Sequence, residues 1–118
     1  MRPALFRPAP ARIPLGRGRS LAIGDEALVM GVVNATPDSF FPASRHRKAR
    51  DARDAALAME AAGAAMVDIG GESTRPGSDY VAEAEELERV IPAIEAIRRE
   101  SDLPLSVDTR KAAVARAA

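Results

Sequence analysis

The pattern of apolar and polar residues predicts alternating strands and helices from Leu28 onward. Short continuous apolar runs, typical of strands buried on both faces, stand at 28–33, 65–69 and 105–107. Apolar residues at helical spacing predict helices at about 47–62 and 82–99, and a third helix has begun by Lys111. Gly63 stands where glycine commonly ends a helix, and Pro92 predicts a kink or a break in the second helix.

This alternation predicts a parallel sheet made of right-handed strand–helix–strand units, repeating about every 39 residues. Two architectures fit the pattern, a doubly wound open sheet and an eight-stranded barrel. A complete barrel needs roughly 250 residues, more than twice the 118 of this chain. The third helix shows no stop signal before Ala118. We therefore expect the sequence to end in the middle of an element.

Composition excludes several classes of protein. The chain contains no cysteine, which excludes disulfide scaffolds, thiolate zinc sites and cysteine nucleophiles. Its aromatic content of 3% argues against a base-stacking surface for nucleic acid. No stretch approaches the roughly 18 apolar residues of a membrane-spanning helix. We therefore expect a cytoplasmic protein with no nucleic-acid partner and no membrane partner.

Residues 1–24 differ from the rest of the chain. They carry five arginines, several prolines and no acidic residue, so the remaining chain has a net charge of −5. The prolines exclude a regular helix, and the segment lacks the continuous apolar region of a secretory signal. A transit peptide and a basic arm for nucleic acid are alternative interpretations of this charge. We interpret the segment as a basic, proline-rich and loosely ordered leader.

Small polar and ionisable residues follow each predicted strand. They occupy positions 34–39 after the first strand, 72–75 after the second and 108–110 after the third. Function gathers at the carboxyl ends of parallel strands in both candidate architectures, which indicates one shared site. Taken singly, each residue is also explained as a turn former or a helix cap.

The residue types narrow the chemistry of this site. The segment Gly70–Gly77 combines two hydroxyls, a guanidinium and a flexible backbone, which suits phosphate or pyrophosphate, and it lacks the Walker and dinucleotide-binding patterns. The amide oxygen of Asn34 is a hard donor suited to Mg²⁺. Asp68 and Asp108 lie on or beside apolar strands, where a carboxylate suits the paired N–H donors of an amino-heterocycle. For Asp68, the alternative is a carboxylate satisfied within the protein.

Four ordered blocks resemble the dihydropteroate synthase family. The blocks are Met30–Phe40 (MGVVNATPDSF), Asp68–Gly77 (DIGGESTRPG), Glu85–Pro92 (EELERVIP) and Ser106–Thr109 (SVDT). Together they cover about residues 28–118. The chain departs from the family directly after Phe40, where it reads FPAS in place of the usual SDGG.

The resemblance implies an α/β fold, a partial TIM (β/α)8 barrel of about the first three βα units. Residues 25–118 would be the N-terminal part of a pterin-binding domain that is truncated at its C-terminus. The family's reaction joins 4-aminobenzoate to (7,8-dihydropterin-6-yl)methyl diphosphate, giving 7,8-dihydropteroate and diphosphate in folate synthesis. These small molecules are the implied partners, with Mg²⁺ as cofactor and a homodimer for the full-length enzyme. We expect the 118-residue chain alone to be inactive.

The resemblance also assigns roles to individual residues. Asn34 would bind Mg²⁺ near the diphosphate. Thr74 would contact the pterin diphosphate, with Arg75 in the same loop, and Asp108 would hold the pterin ring. No protein nucleophile is implied, because the arylamine attacks the substrate directly. Two alternatives stay open, a pterin-binding methyltransferase barrel and a non-catalytic half-barrel that pairs with another chain.

Overall fold

The computed structural model describes residues 9–35, 45–72, 76–77 and 80–118, which form two sheets and three helices. The elements are, in chain order, β1 (Ala11–Gly16), β2 (Arg19–Ile23), β3 (Met30–Asn34), α1 (Arg45–Ala61), β4 (Met66–Gly70), α2 (Glu83–Arg98), β5 (Leu105–Asp108) and α3 (Ala112–Ala117). Strands β3, β4 and β5 form a parallel sheet in that order. The predicted alternation of strands and helices is confirmed from β3 onward. None of the described helices combines the length and the apolar character that a membrane span requires.

Alternate residues of the parallel sheet face opposite sides. On the side of the helices, Val33, Val67 and Ile69 are buried in the core. The other face forms rows across the sheet, in which Met30 pairs with Met66, Val32 with Asp68 and Ser106, and Asn34 with Gly70 and Asp108. In β3 this second face is open, and Val32 is 54% exposed. The prediction that this strand is buried on both faces is wrong, because the described helices cover only one side of it.

The core lies between the sheet and helices α1 and α2. Its buried residues are Val33, Ala52, Ala56, Val67, Ile69, Val90, Ala93, Ile97, Leu103 and Val114. Alanines on the inner side of α1 allow that helix to pack closely on α2 and the sheet. The predicted apolar side of α2 is confirmed in part, since Val90 and Ile97 are fully buried while Leu87, Ile91 and Ile94 are partly buried.

The structure confirms the prediction made from Gly63 but shows no break at Pro92. Gly63 follows α1 with φ of +104°, a left-handed conformation that costs glycine little, so its predicted role at the helix end is confirmed. Pro92 lies inside α2, which runs without a break from Glu83 to Arg98. The predicted break is absent, and the alternative, a kink at Pro92, stays a prediction. Burial of the neighbouring Ala93 and of Ile97 against the core opposes the cost of the backbone hydrogen bond that proline removes.

Residues 11–23 form a β-hairpin, so the expectation of a loosely ordered leader is wrong for this part of the chain. Arg17 and Gly18 have φ of 51° and 73°, and positive φ at both central positions is the condition of a type I′ turn. The Arg19 guanidinium donates a hydrogen bond to the carbonyl oxygen of Asp102 at 2.5 Å. This bond fastens the hairpin to the loop that precedes β5.

A second arginine holds the same loop. The Arg98 guanidinium donates a hydrogen bond to the carbonyl oxygen of Leu103 at 2.5 Å. Partial burial is the main cause that lowers the pKa of the Arg98 guanidinium below its usual value, and the positive charge of Arg19 lowers that pKa further. Both arginines act at the amino end of the parallel strands, opposite the edge that carries the candidate site.

Candidate functional site

Asn34 and Asp108 lie on either side of Gly70 at the carboxyl edge of the parallel sheet. Asn34 pairs with Gly70 across β3 and β4, and Gly70 pairs with Asp108 across β4 and β5. A Cβ atom placed on Gly70 would lie 4.0 Å from Asn34 Oδ1 and 3.9 Å from Asp108 Cβ. Both side chains are exposed. Because residue 70 has no side chain, the two polar groups flank a gap whose floor is backbone.

Asp68 lies one row below this gap. The Ser106 hydroxyl donates a hydrogen bond to Asp68 Oδ1 at 2.6 Å, and Asp68 is partly buried. The same hydroxyl lies 4.0 Å from the sulfur of Met30. A partner within the sheet favours the interpretation of Asp68 as a carboxylate satisfied by the protein over that of a ligand contact.

Parts of the predicted site lie outside the described residues. The first loop is described only to Ala35, whose N–H donates to the carbonyl oxygen of Gly70 at 2.7 Å and extends the β3–β4 pairing. Residues 36–44 and 73–75 are not described. The roles assigned to Thr74 and Arg75 therefore stay predictions.

The segment directly after β4 is fixed to α2 by close packing. A Cβ atom on Gly71 would lie 2.8 Å from Val90 Cγ2 and 3.0 Å from Glu86 Cγ, so only glycine allows this approach. The Arg89 guanidinium donates a hydrogen bond to the carbonyl oxygen of Gly71 at 2.9 Å. The start of the predicted anion loop therefore has a rigid support.

An ionic cluster lies beside that segment, with buried side chains at Glu72, Glu86 and Lys111 and exposed ones at Tyr80 and Arg110. We call these five residues the Lys111 cluster. Lys111 Nζ lies 2.9 Å from Glu72 Oε2 and 2.7 Å from Glu86 Oε2. The same ammonium lies 4.8 Å from the centre of the Tyr80 ring, and Arg110 pairs with the other oxygen of Glu72. No local pattern in the sequence reveals this cluster, because charged residues in loops and on helices are ordinarily solvated and these partners lie far apart along the chain.

The donor set at the gap suits a magnesium ion held mainly by other groups. Within the described ranges, no three His, Asp or Glu side chains come together in a way that could hold a metal. The amide oxygen of Asn34 is a hard donor beside the open gap over Gly70. Mg²⁺ commonly takes one or two protein oxygens and completes its shell with water and substrate phosphates. The residues present therefore fit such an ion as a partial ligand set.

The sequence from β3 to the end of α3 matches the family model described as pterin binding enzyme, over residues 30–118. The chain belongs to the pterin-binding enzyme family. The matched range contains the whole parallel sheet, including Asn34, Gly70 and Asp108, and it contains the Lys111 cluster.

Individual relatives carry a more specific name. The chain is 47% identical to the dihydropteroate synthase of Synechocystis over 106 residues, which cover 89% of this chain and 37% of that protein. It resembles the structure of Xanthomonas albilineans dihydropteroate synthase with 4-aminobenzoic acid, with a TM-score of 0.79 and 48% identity. That match covers 90% of this chain and 39% of the Xanthomonas chain. For the structure of Burkholderia cenocepacia dihydropteroate synthase complexed with 7,8-dihydropteroate, the TM-score is 0.68 at 46% identity, and the match covers 95% of this chain and 35% of the Burkholderia chain. The resemblance to dihydropteroate synthases is confirmed. The chain spans little more than a third of the length of these pterin-binding relatives.

Proposed function

We propose that this chain is the N-terminal part of a dihydropteroate synthase whose complete domain is a TIM barrel. The observation that carries the proposal is the row Asn34–Gly70–Asp108, which sets an amide oxygen and a carboxylate on either side of a gap. The barrel is supported by the division of the sheet into an apolar face under the helices and a face that carries polar side chains at its carboxyl edge. The substrates proposed for the complete enzyme are 4-aminobenzoate and (7,8-dihydropterin-6-yl)methyl diphosphate, and we further propose that it is a homodimer.

Asp108 binds the pterin ring in this proposal. Its carboxylate accepts hydrogen bonds from neighbouring N–H groups of the ring, and charge-assisted bonds of this kind are stronger than neutral ones. The neighbouring position in β4 is Gly70, so no side chain from that strand obstructs a flat ring beside the carboxylate. The ring is thereby oriented with its reactive methylene carbon at the carboxyl edge of the sheet.

The diphosphate is stabilised as it leaves. The nitrogen of 4-aminobenzoate forms a bond to the methylene carbon, the bond from that carbon to the diphosphate oxygen breaks, and the amine passes a proton to solvent water. Asn34 would hold Mg²⁺ through its amide oxygen, and the ion would supply positive charge beside the leaving diphosphate. Thr74 and Arg75 are proposed to bind the same group. No protein nucleophile takes part.

The function is tested with a complete enzyme, because the chain covers only part of its relatives. Residues 30–118 replace the corresponding segment of the Synechocystis dihydropteroate synthase, and the product is called the chimeric synthase. We expect it to form 7,8-dihydropteroate from the two substrates. Failure of this reaction in a folded chimera, or methyl transfer from a methylated folate in its place, contradicts the proposal and in the second case favours the methyltransferase alternative.

Loss of the Asn34 amide should raise the Mg²⁺ requirement of the chimeric synthase. The substitution Asn34→Ala removes one hard oxygen ligand, so half-maximal turnover should need more Mg²⁺, by about 10-fold or more. The matched control is Asn34→Asp, which retains an oxygen ligand and should stay near the parent. Titration of turnover against Mg²⁺ measures the effect, and an unchanged requirement in Asn34→Ala would remove Asn34 from the metal site.

A further inference from the structure

Lys111 joins the end of β4 to α2 and to the start of α3. Its side chain is 9% exposed, and the two carboxylates that it bridges, on Glu72 and Glu86, are 7% and 1% exposed. Both distances, 2.9 Å and 2.7 Å, are those of charge-assisted hydrogen bonds. Removal of one partner from such a pair leaves an uncompensated charge away from water.

Stability alone does not explain this arrangement. Glu86 is the buried charged residue of α2, and its Oε1 has no hydrogen-bond partner in the described part of the protein. Replacement of a buried ion pair by apolar residues of similar size is often neutral or stabilising. What the cluster supplies is a fixed geometry, since the ammonium is held by two carboxylates and by the face of the Tyr80 ring.

The cluster includes hydrogen bonds in the segments that directly follow β4 and β5, two of the three strands whose carboxyl ends form the gap. Glu72 lies two residues after Gly70 and also accepts a hydrogen bond from the N–H of Val81 at 3.0 Å. On the other strand, the N–H of Lys111 donates to the hydroxyl of Thr109 at 3.1 Å, and Thr109 is adjacent to Asp108. One residue therefore contacts the segments that follow β4 and β5.

We propose that Lys111 is a positioning residue for pterin binding, which holds the carboxyl ends of β4 and β5 in a fixed relation through Glu72 and Glu86. The proposal rests on the proposed function of Asp108. Lys111 touches no substrate in this account. It sets the position of the Asp108 carboxylate relative to Gly70, and small displacements of a binding group are costly to affinity and rate.

Three variants of the chimeric synthase separate positioning from stability. Lys111→Met removes the charge and leaves two carboxylates facing each other. The double variant Glu86→Gln with Lys111→Met removes one of these acids, while Arg110 still pairs with Glu72. Arg53→Met is the matched control, because Arg53 forms ion pairs with Asp54 and Glu100 on the outer surface. Calorimetry with (7,8-dihydropterin-6-yl)methyl diphosphate gives Kd, and thermal unfolding gives Tm.

We expect Lys111→Met to weaken binding by about 10- to 100-fold and to lower Tm. The double variant should regain most of the lost Tm while its Kd stays raised, and Arg53→Met should leave Kd unchanged. Recovery of both Kd and Tm in the double variant would overturn the proposal, as would parental affinity in Lys111→Met. If Lys111→Met does not fold, the double variant decides.

Amide hydrogen exchange tests the positioning role of Lys111 without requiring that the chimeric synthase catalyse the proposed reaction. Absence of turnover in the parent chimera contradicts the proposed function. The exchange rates of its backbone amides still show whether the Lys111 cluster holds the adjoining segments in place. Faster exchange at residues 70–72 and 108–111 of the double variant, with unchanged exchange elsewhere, supports the positioning role. Parental exchange at these residues would overturn it.

Discussion

The substitution Asp108→Asn in the chimeric synthase should weaken binding of the pterin diphosphate by about 5- to 150-fold, which corresponds to roughly 1–3 kcal/mol. Asparagine keeps the size of the side chain but replaces one acceptor oxygen by an N–H donor. That donor would face donors of the pterin ring, so a hydrogen bond is lost and a ring N–H is left unpaired. The negative charge that strengthens the remaining bond is also lost.

The fold should be unaffected by this change, because Asp108 is exposed at the end of β5. Calorimetry measures the affinity, and thermal unfolding checks that Tm stays near the parent. Asp54→Asn is the matched control, since Asp54 pairs with Arg53 on the surface of α1 and should leave pterin affinity unchanged. Normal affinity in Asp108→Asn would assign the ring contact to another residue.

A polypeptide of these 118 residues alone should self-associate and show no synthase activity. Within the described elements, β3 and β5 each pair on one side only. The open face carries apolar side chains, with Val32 54% and Met30 49% exposed. Unpaired strand edges beside an exposed apolar face are templates for association between chains.

Sedimentation or light scattering across a concentration series measures this association, and binding of ANS reports exposed apolar surface. We expect ANS fluorescence and a broad thermal transition. A monomer with a sharp, cooperative transition at low concentration contradicts the prediction. Formation of 7,8-dihydropteroate by the purified polypeptide contradicts it too, whereas activity that appears only on pairing with another chain would favour the half-barrel alternative.

The parallel sheet was predictable because its signals are local. Continuous apolar runs located β3, β4 and β5 within two residues at each end. The hairpin was not predicted, although apolar Ile13, Leu15, Leu21 and Ile23 do alternate with other residues around the turn. Arginines and prolines between them obscured that alternation, and the two-stranded pairing tolerates Pro14.

The site was predictable to the extent that it depends on strand periodicity. Asn34 and Asp108 share a face because each ends a strand of the same sheet in register with Gly70. Glu86 was not recognised as buried. It follows the spacing of Val90, Ala93 and Ile97 on the inner side of α2, but a charge at such a position is buried only when a partner reaches it. That partner, Lys111, directly precedes α3. No local sequence pattern shows that it pairs with a residue of α2.

The strict alternation of the sheet separates two kinds of evolutionary change. In all three parallel strands, odd-numbered positions such as 33, 67 and 69 pack under the helices. Even-numbered positions share the opposite face, where 34, 70 and 108 border the gap. Point substitutions at even positions can alter ligand preference while the packed layer stays intact. An insertion of a single residue exchanges the two sets and damages both at once. Natural variation in specificity should therefore accumulate by substitution within the strands, and length changes should be confined to the loops.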